Sequence, residues 1–505
     1  MPRMYKAIAG NPRAAMFVLA ALLAALPVLL IPVPGFVDVP AHLARHHILA
    51  IAPSGGSLGR YFNVHWYWMA NLGADIPSSI LARWLGGELA TRLVTAAIAP
   101  LTIAGLVLLS RAAQGRVTAS AALALPFVFS QPWMWGFLNY GLGLALALLV
   151  AAWVYAKPRE RWTDAIALGA AGLIVWTAHM AAWVVLLLIV AGGELAQLRQ
   201  VRDVWAALRR DWPLLLPIVP LVLWRTQSSD AGFTFEYFDY VHSKAAVFAE
   251  ALRGTWKALD LGLLAAVFAM SLVALLCAGR PRFEPRLLIS GLLLTAGALA
   301  APITLLNSWG TDVRTAPVAL MLLVLSIRPA RDSGRERLIY LAGAALFVAK
   351  LGSVALFWAE RSPMLERRLA LLEAVPRGGK LGYLYVLPTC DYPWQLVPDE
   401  KLASYAVARR DAFVNTLFMV DNARLVTMRD PHMQQRWSGG SQDVARRCPQ
   451  GTIDPKPLRD GLAALRADSF DAIWVSGVDG RALPAVPGYR VAASLPGETM
   501  LVRER

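Results

Sequence analysis

Hydrophobic residues occur along this chain in long blocks that are separated by short polar loops. The first block, 14–33, is apolar for about 20 residues, the length that a helix needs to cross a bilayer. No small-x-small cleavage site follows it, so we predict a retained span and not a cleaved signal. Ten further blocks predict helical spans at 93–110, 118–130, 136–156, 163–176, 181–198, 213–224, 258–278, 287–306, 313–327 and 338–358.

Three of these blocks, 118–130, 163–176 and 213–224, are shorter than the roughly 20 residues of a full crossing. Two of them pair with a neighbour across a very short loop, which gives the segments 118–156 and 163–198. Each pair predicts either two tilted spans or a re-entrant hairpin that is enclosed by protein.

The pattern changes after residue 360. The runs "LGYLYVL", "DAIWVSG" and "GYRVAASL" are typical of strands, and "PLRDGLAALRAD" has the period of an amphipathic helix. We therefore predict an all-α polytopic membrane bundle of about eleven transmembrane helices, followed by a small α/β domain. The predicted domains are 1–360, which includes a long first outer loop at 34–92, and 361–505.

Composition and charge support this class and give it an orientation. Hydrophobic residues make up 57% of the chain, charged residues 16%, and the mean hydropathy is +0.49. Loops on one side hold 19 Lys and Arg in 58 residues, and loops on the other side hold 7 in 107. Cytoplasmic loops carry this excess, so the N-terminus is predicted to be cytoplasmic. The first outer loop and residues 361–505 then lie outside a bacterial inner (plasma) membrane, in the periplasm or extracellular space.

The same topology explains much of the net charge of +15. No basic face is interleaved with aromatic residues, so we predict no nucleic-acid partner. Cys390 and Cys448 both belong to the predicted outer domain, where a disulfide persists, and we expect them to pair.

The densest candidate chemistry follows the first span, in "PGFVDVPAHLARHH". Asp38 and His42 are four residues apart, which places them on one face of a helix that begins near Val39. Two interpretations of Asp38 stay open. It is either the cap of that helix or a general base that takes a proton from an attacking hydroxyl.

The rest of the outer loop is aromatic and amphipathic. Trp66 belongs to a cluster of rings at the predicted headgroup level, and Asp75 precedes a second interfacial helix at 77–86. The four histidines of the loop, His42, His46, His47 and His65, match no zinc motif such as H-E-x-x-H. We therefore assign no metal ligand and no certain cofactor, and leave a divalent cation open.

This arrangement resembles the GT-C superfamily of membrane glycosyltransferases. The similarity is one of architecture over the whole chain: a short N-terminus, one span, a long outer loop that opens with an acidic residue, a multi-span body and an outer C-terminal domain. The local motif is Asp38-Val-Pro-Ala-His42, which lacks the paired acid of many members because Val39 follows Asp38. The resemblance implies a polyprenyl-phosphate-linked sugar as donor, and inverting transfer with Asp38 as base. The acceptor, whether glycan, lipid or protein, stays open.

Other outer-face residues are assigned roles within that scheme. A lipid-phosphate leaving group needs preplaced cations, and we assign these to Arg225, Arg314 and Arg45. The ordinary alternative for each is an arginine that reaches lipid headgroups. His42 is assigned to orient Asp38 or the acceptor. Candidate substrate-lining residues are Asp75, Asn139, Tyr140, His179 and Trp66.

Two other functions compete with the enzyme. A non-catalytic scaffold for envelope assembly would use residues 361–505 to bind a partner. A transporter predicts ionisable residues deep inside helices, and Lys350 in the last span is the main example.

Overall fold

A computed structural model describes residues 12–504 except 158, 226–232, 235–239, 277–281, 306–307, 330–333, 388, 391–392, 418–424, 441–442, 445 and 448–451. The chain forms two compact units. The first comprises 1–30, 68–74 and 95–357, and the second comprises 31–67, 75–94 and 358–505. Most of the loop that the sequence analysis placed in the transmembrane domain thus groups with the C-terminal residues.

The first unit is helical. Helices overlap each predicted apolar block, because these Ala- and Leu-rich runs satisfy their backbone groups internally. The α-helices in or entering this unit are Pro12–Leu30, Asp75–Gln114, Ala119–Ala124, Gln131–Trp135, Leu138–Ala156, Trp162–Ala178, Met180–Leu195, Val201–Asp211, Ile218–Arg225, Tyr240–Ala249, Lys257–Leu276, Pro285–Ala300, Thr311–Ser326 and Gly334–Ala370.

Five helices of the described residues are long and apolar enough to cross a membrane: Arg13–Leu30, Asp75–Gln114, Leu138–Ala156, Lys257–Leu276 and Gly334–Ala374. Three shorter apolar helices are Trp162–Ala178, Met180–Leu195 and Pro285–Ala300. The crossing number of eleven stays a prediction.

Small residues let these helices approach closely. A Cβ atom added to Gly192 would lie 2.4 Å from Ser290 Oγ, between helices Met180–Leu195 and Pro285–Ala300. Ser290 Oγ donates to the carbonyls of Ile189 and Arg286 at 2.8 and 2.7 Å, so its polar group is satisfied at the contact. Without water to drive apolar association, this close backbone packing is what holds membrane helices together.

The second unit contains a mixed β-sheet. Its strands lie in the order Tyr489–Leu495, Glu498–Arg503, Ala472–Ser476, Lys380–Val386, Phe413–Val414, and Asp443–Val444 also pairs with Lys380–Val386. Lys380–Val386 is parallel to each of its three neighbours. It is buried along almost its whole length, which explains why its sequence is continuously apolar.

The three strands and the helix predicted after residue 360 are all present. Helix Pro455–Ala467 begins where Asp454 accepts a hydrogen bond from the Lys456 amide at 3.1 Å, with proline in its first turn. It buries Leu458, Leu462 and Leu465, one face at helical spacing. Cys390 is disulfide-bonded. Cys448 lies outside the described residues, so its pairing with Cys390 stays a prediction.

The outer loop is built into this unit by backbone pairing. Helix Val39–Ile51 leads through the 3₁₀ turn Ala52–Ser54 and helix Gly56–Tyr61 to strand Phe62–Val64, which pairs antiparallel with Val426–Met428. Helix Asp75–Gln114 is interrupted at Gly86, whose φ of 74° and ψ of 160° suit only glycine. The interruption separates the predicted interfacial helix from the span that follows it.

Candidate functional site

Asp38 precedes helix Val39–Ile51 directly, as predicted, but its carboxylate makes no capping hydrogen bond to that helix. The cap interpretation is therefore wrong. Pro40 occupies the first turn and removes an amide that would otherwise need a partner, so the helix begins without help from a side chain. The carboxylate of Asp38 is half-buried.

Lys401 is a charged neighbour of Asp38. Helix Val39–Ile51 packs against the 3₁₀ turn Asp399–Ser404, and Lys401 within that turn is only 2% exposed. Burial lowers the pKa of Lys401, and Asp38 is the strongest of the carboxylates that oppose this shift, ahead of Glu400 and Asp443. A buried ammonium beside a carboxylate favours the ionised form of that carboxylate.

Glu400 and Asp443 extend this charged group. Burial, together with Glu400, raises the pKa of Asp443 to about 6, and Lys401 acts in the opposite direction. Asp443 stands in a short strand that pairs with Lys380–Val386, so the sheet fixes its backbone.

A second network fixes the turn that carries Lys401. Arg368 donates to the carboxylate of Asp399 and to Ser476 Oγ, the latter at 3.0 Å. Its Nε lies 2.8 Å from Glu498 Oε1. Tyr383 in the central strand donates to the Asp399 carbonyl at 2.5 Å. The sheet therefore sets the position of Lys401 through several polar contacts.

A separate polar cluster lies further along the same helix. His42 and His46 are one turn apart, with ring centroids 5.9 Å from each other. Asp75, at the start of the second loop helix, lies 3.1 Å from His46 Nε2 and 3.0 Å from Arg45 Nη2. His46 Nδ1 lies 2.8 Å from Thr91 Oγ1, also on that second helix. The cluster joins the two helices of the loop.

The geometry bears on two assignments. His46, Asp75 and Arg45 are charged or titratable neighbours of the His42 ring, and the role of His42 in orienting Asp38 stays a prediction. Arg45 is held against the Asp75 carboxylate, which accounts for its charge without a donor phosphate. Asp75 itself is fully buried within the cluster and does not line an open surface.

His42 is a neutral imidazole at physiological pH. Burial, helped by repulsion from His46 and Arg45, lowers the pKa of its ring to about 3, and the attraction of Asp75 only partly compensates.

The loop helices are also tied to the C-terminal residues of the unit. Arg409 makes a bidentate pair with Glu88, with distances of 2.7 and 3.0 Å. His47 Nε2 lies 3.3 Å from Asp411 Oδ1, and a Cβ on Gly87 would lie 2.7 Å from His47 Cβ. These contacts hold helix Val39–Ile51, and hence Asp38, in one orientation within the unit.

The surroundings of Asp38 do not fit a divalent cation. Lys401, a charged group near this carboxylate, is itself a cation, which would repel a metal ion. The residue that follows, Val39, supplies no second carboxylate. No step of the transfer proposed below uses a metal at Asp38.

The predicted site residues of the first unit have structural partners. The Asn139 amide accepts from the Ala74 backbone at 2.6 Å and donates to the Asn71 carbonyl at 2.8 Å. His179 caps helix Met180–Leu195 by accepting from the Ala181 amide at 3.0 Å. Asn139 holds a loop and His179 caps a helix end. These structural roles explain why polar residues occur at these positions beside apolar helices.

Tyr140 and Arg314 lie together in this unit. Tyr140 donates to the Arg314 carbonyl at 2.6 Å, and the Arg314 guanidinium stacks 4.2 Å from the centroid of the Phe137 ring. Arg314 also donates to the Trp309 carbonyl. Trp66, which belongs to the other unit, is 46% exposed. Arg225 ends its helix, and its side chain lies outside the described residues.

Sequence reasoning missed Lys401 and Thr91 altogether, and it mentioned His46 only as one of four loop histidines. The spacing of His42 and His46, four residues on one helix, was a local signal for the polar cluster. Lys401 carries no such signal, because its partner Asp38 is distant along the chain.

Comparison with known proteins supports the architecture. The sequence matches no protein-family model and no curated protein. Its structure is similar to that of ArnT from Cupriavidus metallidurans in the apo state, with a TM-score of 0.54 and 12% identity, over 96% of this chain and 97% of that one.

Two further solved structures are more distant. ArnT from the same organism bound to undecaprenyl phosphate has a TM-score of 0.48 at 12% identity, with 96% and 97% of the two chains covered. The arabinofuranosyltransferase AftD from Mycobacteria has a TM-score of 0.44 at 14% identity and covers 97% of this chain but 40% of its own. The fold assignment rests on the apo ArnT match. The chain has the fold of apo ArnT, and its long apolar helices are those of an integral membrane protein.

Proposed function

We propose that the protein is a glycosyltransferase that moves a sugar from a polyprenyl-phosphate-linked donor to an acceptor hydroxyl, with Asp38 as general base. The observation that carries this proposal is the Asp38 carboxylate, which caps no helix and lies beside the buried Lys401. The fold supports the reaction class, since it is that of ArnT. ArnT is also described bound to undecaprenyl phosphate, which motivates the donor class.

In the proposed step, the acceptor oxygen attacks the anomeric carbon while its proton passes to a carboxylate oxygen of Asp38. The bond between the anomeric carbon and the phosphate oxygen breaks, and its electron pair leaves with the polyprenyl phosphate. Attack from the face opposite the leaving group inverts the anomeric centre. Asp38 then returns its proton to water, so the base is regenerated without a cofactor.

Lys401 is the proposed positioning residue for this base. Its buried ammonium favours the ionised carboxylate, the form that accepts a proton. Glu400 and Asp443 share the same cation, so Asp38 does not have to form a tight ion pair that would make it a weak base.

Activity is best measured as release of polyprenyl phosphate. The full chain in detergent or lipid nanodiscs is incubated with a panel of polyprenyl-phosphate-linked sugars and a membrane extract as acceptor source. Mass spectrometry follows loss of each donor and appearance of the free lipid phosphate. Intact donors across the panel, with monodisperse protein, would contradict the proposal.

Arg314 and Arg225 are the proposed ligands of the donor phosphate. The Phe137 ring orients the planar guanidinium of Arg314. This group carries several N–H hydrogen-bond donors in a rigid arrangement that matches a phosphate. We expect Arg314→Lys to lower kcat/KM by about 10- to 100-fold, because a charge-assisted hydrogen bond contributes roughly 1.5–3 kcal/mol. Arg209→Lys, on an exposed helix surface, is the control that should leave kcat/KM unchanged. Equal kinetics for both variants would exclude Arg314 from donor binding.

We also propose that the N-terminus is cytoplasmic and that residues 361–505 are extracytoplasmic, on the 19-against-7 split of basic residues. Alkaline phosphatase fused after residue 505 should be active, and a cytoplasm-dependent fluorescent protein at the same place should be dark. The fusion belongs at the chain end because helix Gly334–Ala370 continues through residue 360. The reverse pattern would place Asp38 on the cytoplasmic side and would overturn the catalytic scheme.

A further inference from the structure

The polar cluster of the second unit brings three metal-ligating side chains together. Ligand atoms of His42, His46 and Asp75 all lie within 4.8 Å of one another. His46 and Asp75 are fully buried. Two histidines one helical turn apart and a carboxylate from a second helix form the kind of mixed nitrogen and oxygen set that binds zinc.

The orientation of His46 points to a missing partner. Its Nδ1 is hydrogen-bonded to Thr91 Oγ1 at 2.8 Å, which directs Nε2 toward Asp75. Nε2 of this buried ring lies 3.1 Å from Asp75 Oδ1, but the geometry of the contact is poor for a hydrogen bond. Buried polar atoms are nearly always satisfied, so a close contact outside hydrogen-bonding geometry needs another explanation.

A metal ion supplies that explanation. In a tetrahedral site with bonds of about 2.0–2.2 Å, neighbouring ligand atoms are about 3.4 Å apart. The separation of Nε2 and Oδ1 is close to this distance. Metal-bound imidazoles commonly use their second nitrogen in a hydrogen bond, and Thr91 provides it here.

We propose that His42, His46 and Asp75 bind a divalent transition-metal ion of the zinc class. The ion would join helix Val39–Ile51 to the first turn of helix Asp75–Gln114 and so fix the two loop helices within the unit. Arg45 Nη2, 3.0 Å from Asp75 Oδ2, holds the second oxygen of the carboxylate and leaves Oδ1 directed at the histidines.

This inference does not rest on the proposed glycosyl transfer. The ligands are not Asp38 or Lys401, and no step of the transfer uses the ion. The three ligands match no short sequence motif, because Asp75 comes from a different helix than the two histidines.

The test is metal binding by the full chain carrying a tag without histidines. After treatment with a chelator and its removal, the protein is titrated with Zn²⁺ alone, and bound metal is measured by mass spectrometry. Co²⁺ serves as a second probe, because its visible absorption reports coordination by nitrogen and oxygen ligands. We expect one high-affinity equivalent per chain.

Three variants identify the site. His46→Gln should abolish the high-affinity equivalent and the Co²⁺ absorption. Thr91→Val keeps the shape of the side chain but removes the hydrogen bond to Nδ1, so it should weaken Zn²⁺ binding by about 10- to 100-fold. His65→Gln is the matched control, since His65 is an exposed histidine of the same loop.

Each possible result either supports or overturns the proposed metal site. Folded wild-type protein that binds no Zn²⁺ would overturn the proposal, and so would His46→Gln protein that binds as tightly as wild type. If His46→Gln fails to fold, Thr91→Val decides: unchanged affinity and unchanged Co²⁺ absorption exclude the site. Loss of binding in His65→Gln would place the metal elsewhere in the loop.

Discussion

Asp38→Asn should lower the rate of sugar transfer by about 10²- to 10⁴-fold, the usual loss when a general base is removed. The amide keeps the size of the side chain but cannot accept the hydroxyl proton. Stability should hardly change, because the Asp38 side chain caps no helix. Lys401 also keeps Glu400 and Asp443 as neighbouring carboxylates, so the substitution does not isolate a buried charge. Release of polyprenyl phosphate measures the rate, and thermal unfolding in detergent measures stability.

The matched control is Asp454→Asn in the same unit. Asp454 also stands directly before a helix with proline in its first turn, but it caps that helix by accepting from the Lys456 amide. Asparagine caps nearly as well as aspartate, so this variant should keep both activity and stability. If Asp38→Asn protein transfers sugar at the wild-type rate, the enzyme proposal loses its base, and the scaffold alternative becomes the better explanation.

The parts of the fold that follow from short stretches of sequence were predictable. Apolar blocks predicted helices at the right places because a helix satisfies its own backbone. The strand Lys380–Val386 was equally clear, since a central parallel strand is apolar on both faces. The start of helix Val39–Ile51 followed from Pro40. Each of these features depends on residues that are close in sequence.

The candidate site was predictable only in part. The sequence indicated Asp38, but it also suggested a cap, which the structure excludes. It assigned His42 to Asp38 because the two are four residues apart. Spacing gives a shared helix face but not the groups that the face meets, and His46 and Asp75 are among those groups. Lys401 was not predictable at all, because only the packing of a distant turn against the helix brings it to Asp38.

Lys350 shows the same limit and bears on the transporter alternative. From the sequence it is an isolated charge in the middle of an apolar helix, as in an ion pathway. In the structure it is fully buried, its Nζ lies 2.7 Å from Asp260 Oδ1, and it donates to the Leu252 carbonyl at 2.6 Å. Asp260 also accepts from the amides of Gly254 and Thr255 at 3.0 and 2.9 Å. These contacts suit a fixed structural pair better than a group that exchanges ions.

Lys350→Met should therefore destabilise the protein strongly, by about 3–5 kcal/mol, because it leaves the buried Asp260 carboxylate without its cation. Lys350→Met combined with Asp260→Asn should recover much of this loss, since no uncompensated charge remains and the amide oxygen still accepts from the Gly254 and Thr255 amides. Lys157→Met is the control. Its ion pair with Asp164 spans 3.3 Å, but the lysine side chain is 55% exposed, so its loss should cost at most about 1 kcal/mol.

Unfolding of all three variants in detergent measures these stability differences. The transfer assay then shows whether the Lys350–Asp260 pair is needed for sugar transfer or only for stability. If the pair is structural, the double variant should transfer sugar at nearly the wild-type rate once it is folded, because neither residue belongs to the unit that holds Asp38. A double variant that is stable but transfers no sugar would contradict the structural assignment, because packing would be restored without function. Restored stability with full transfer would assign Lys350 and Asp260 to the support of the helical unit.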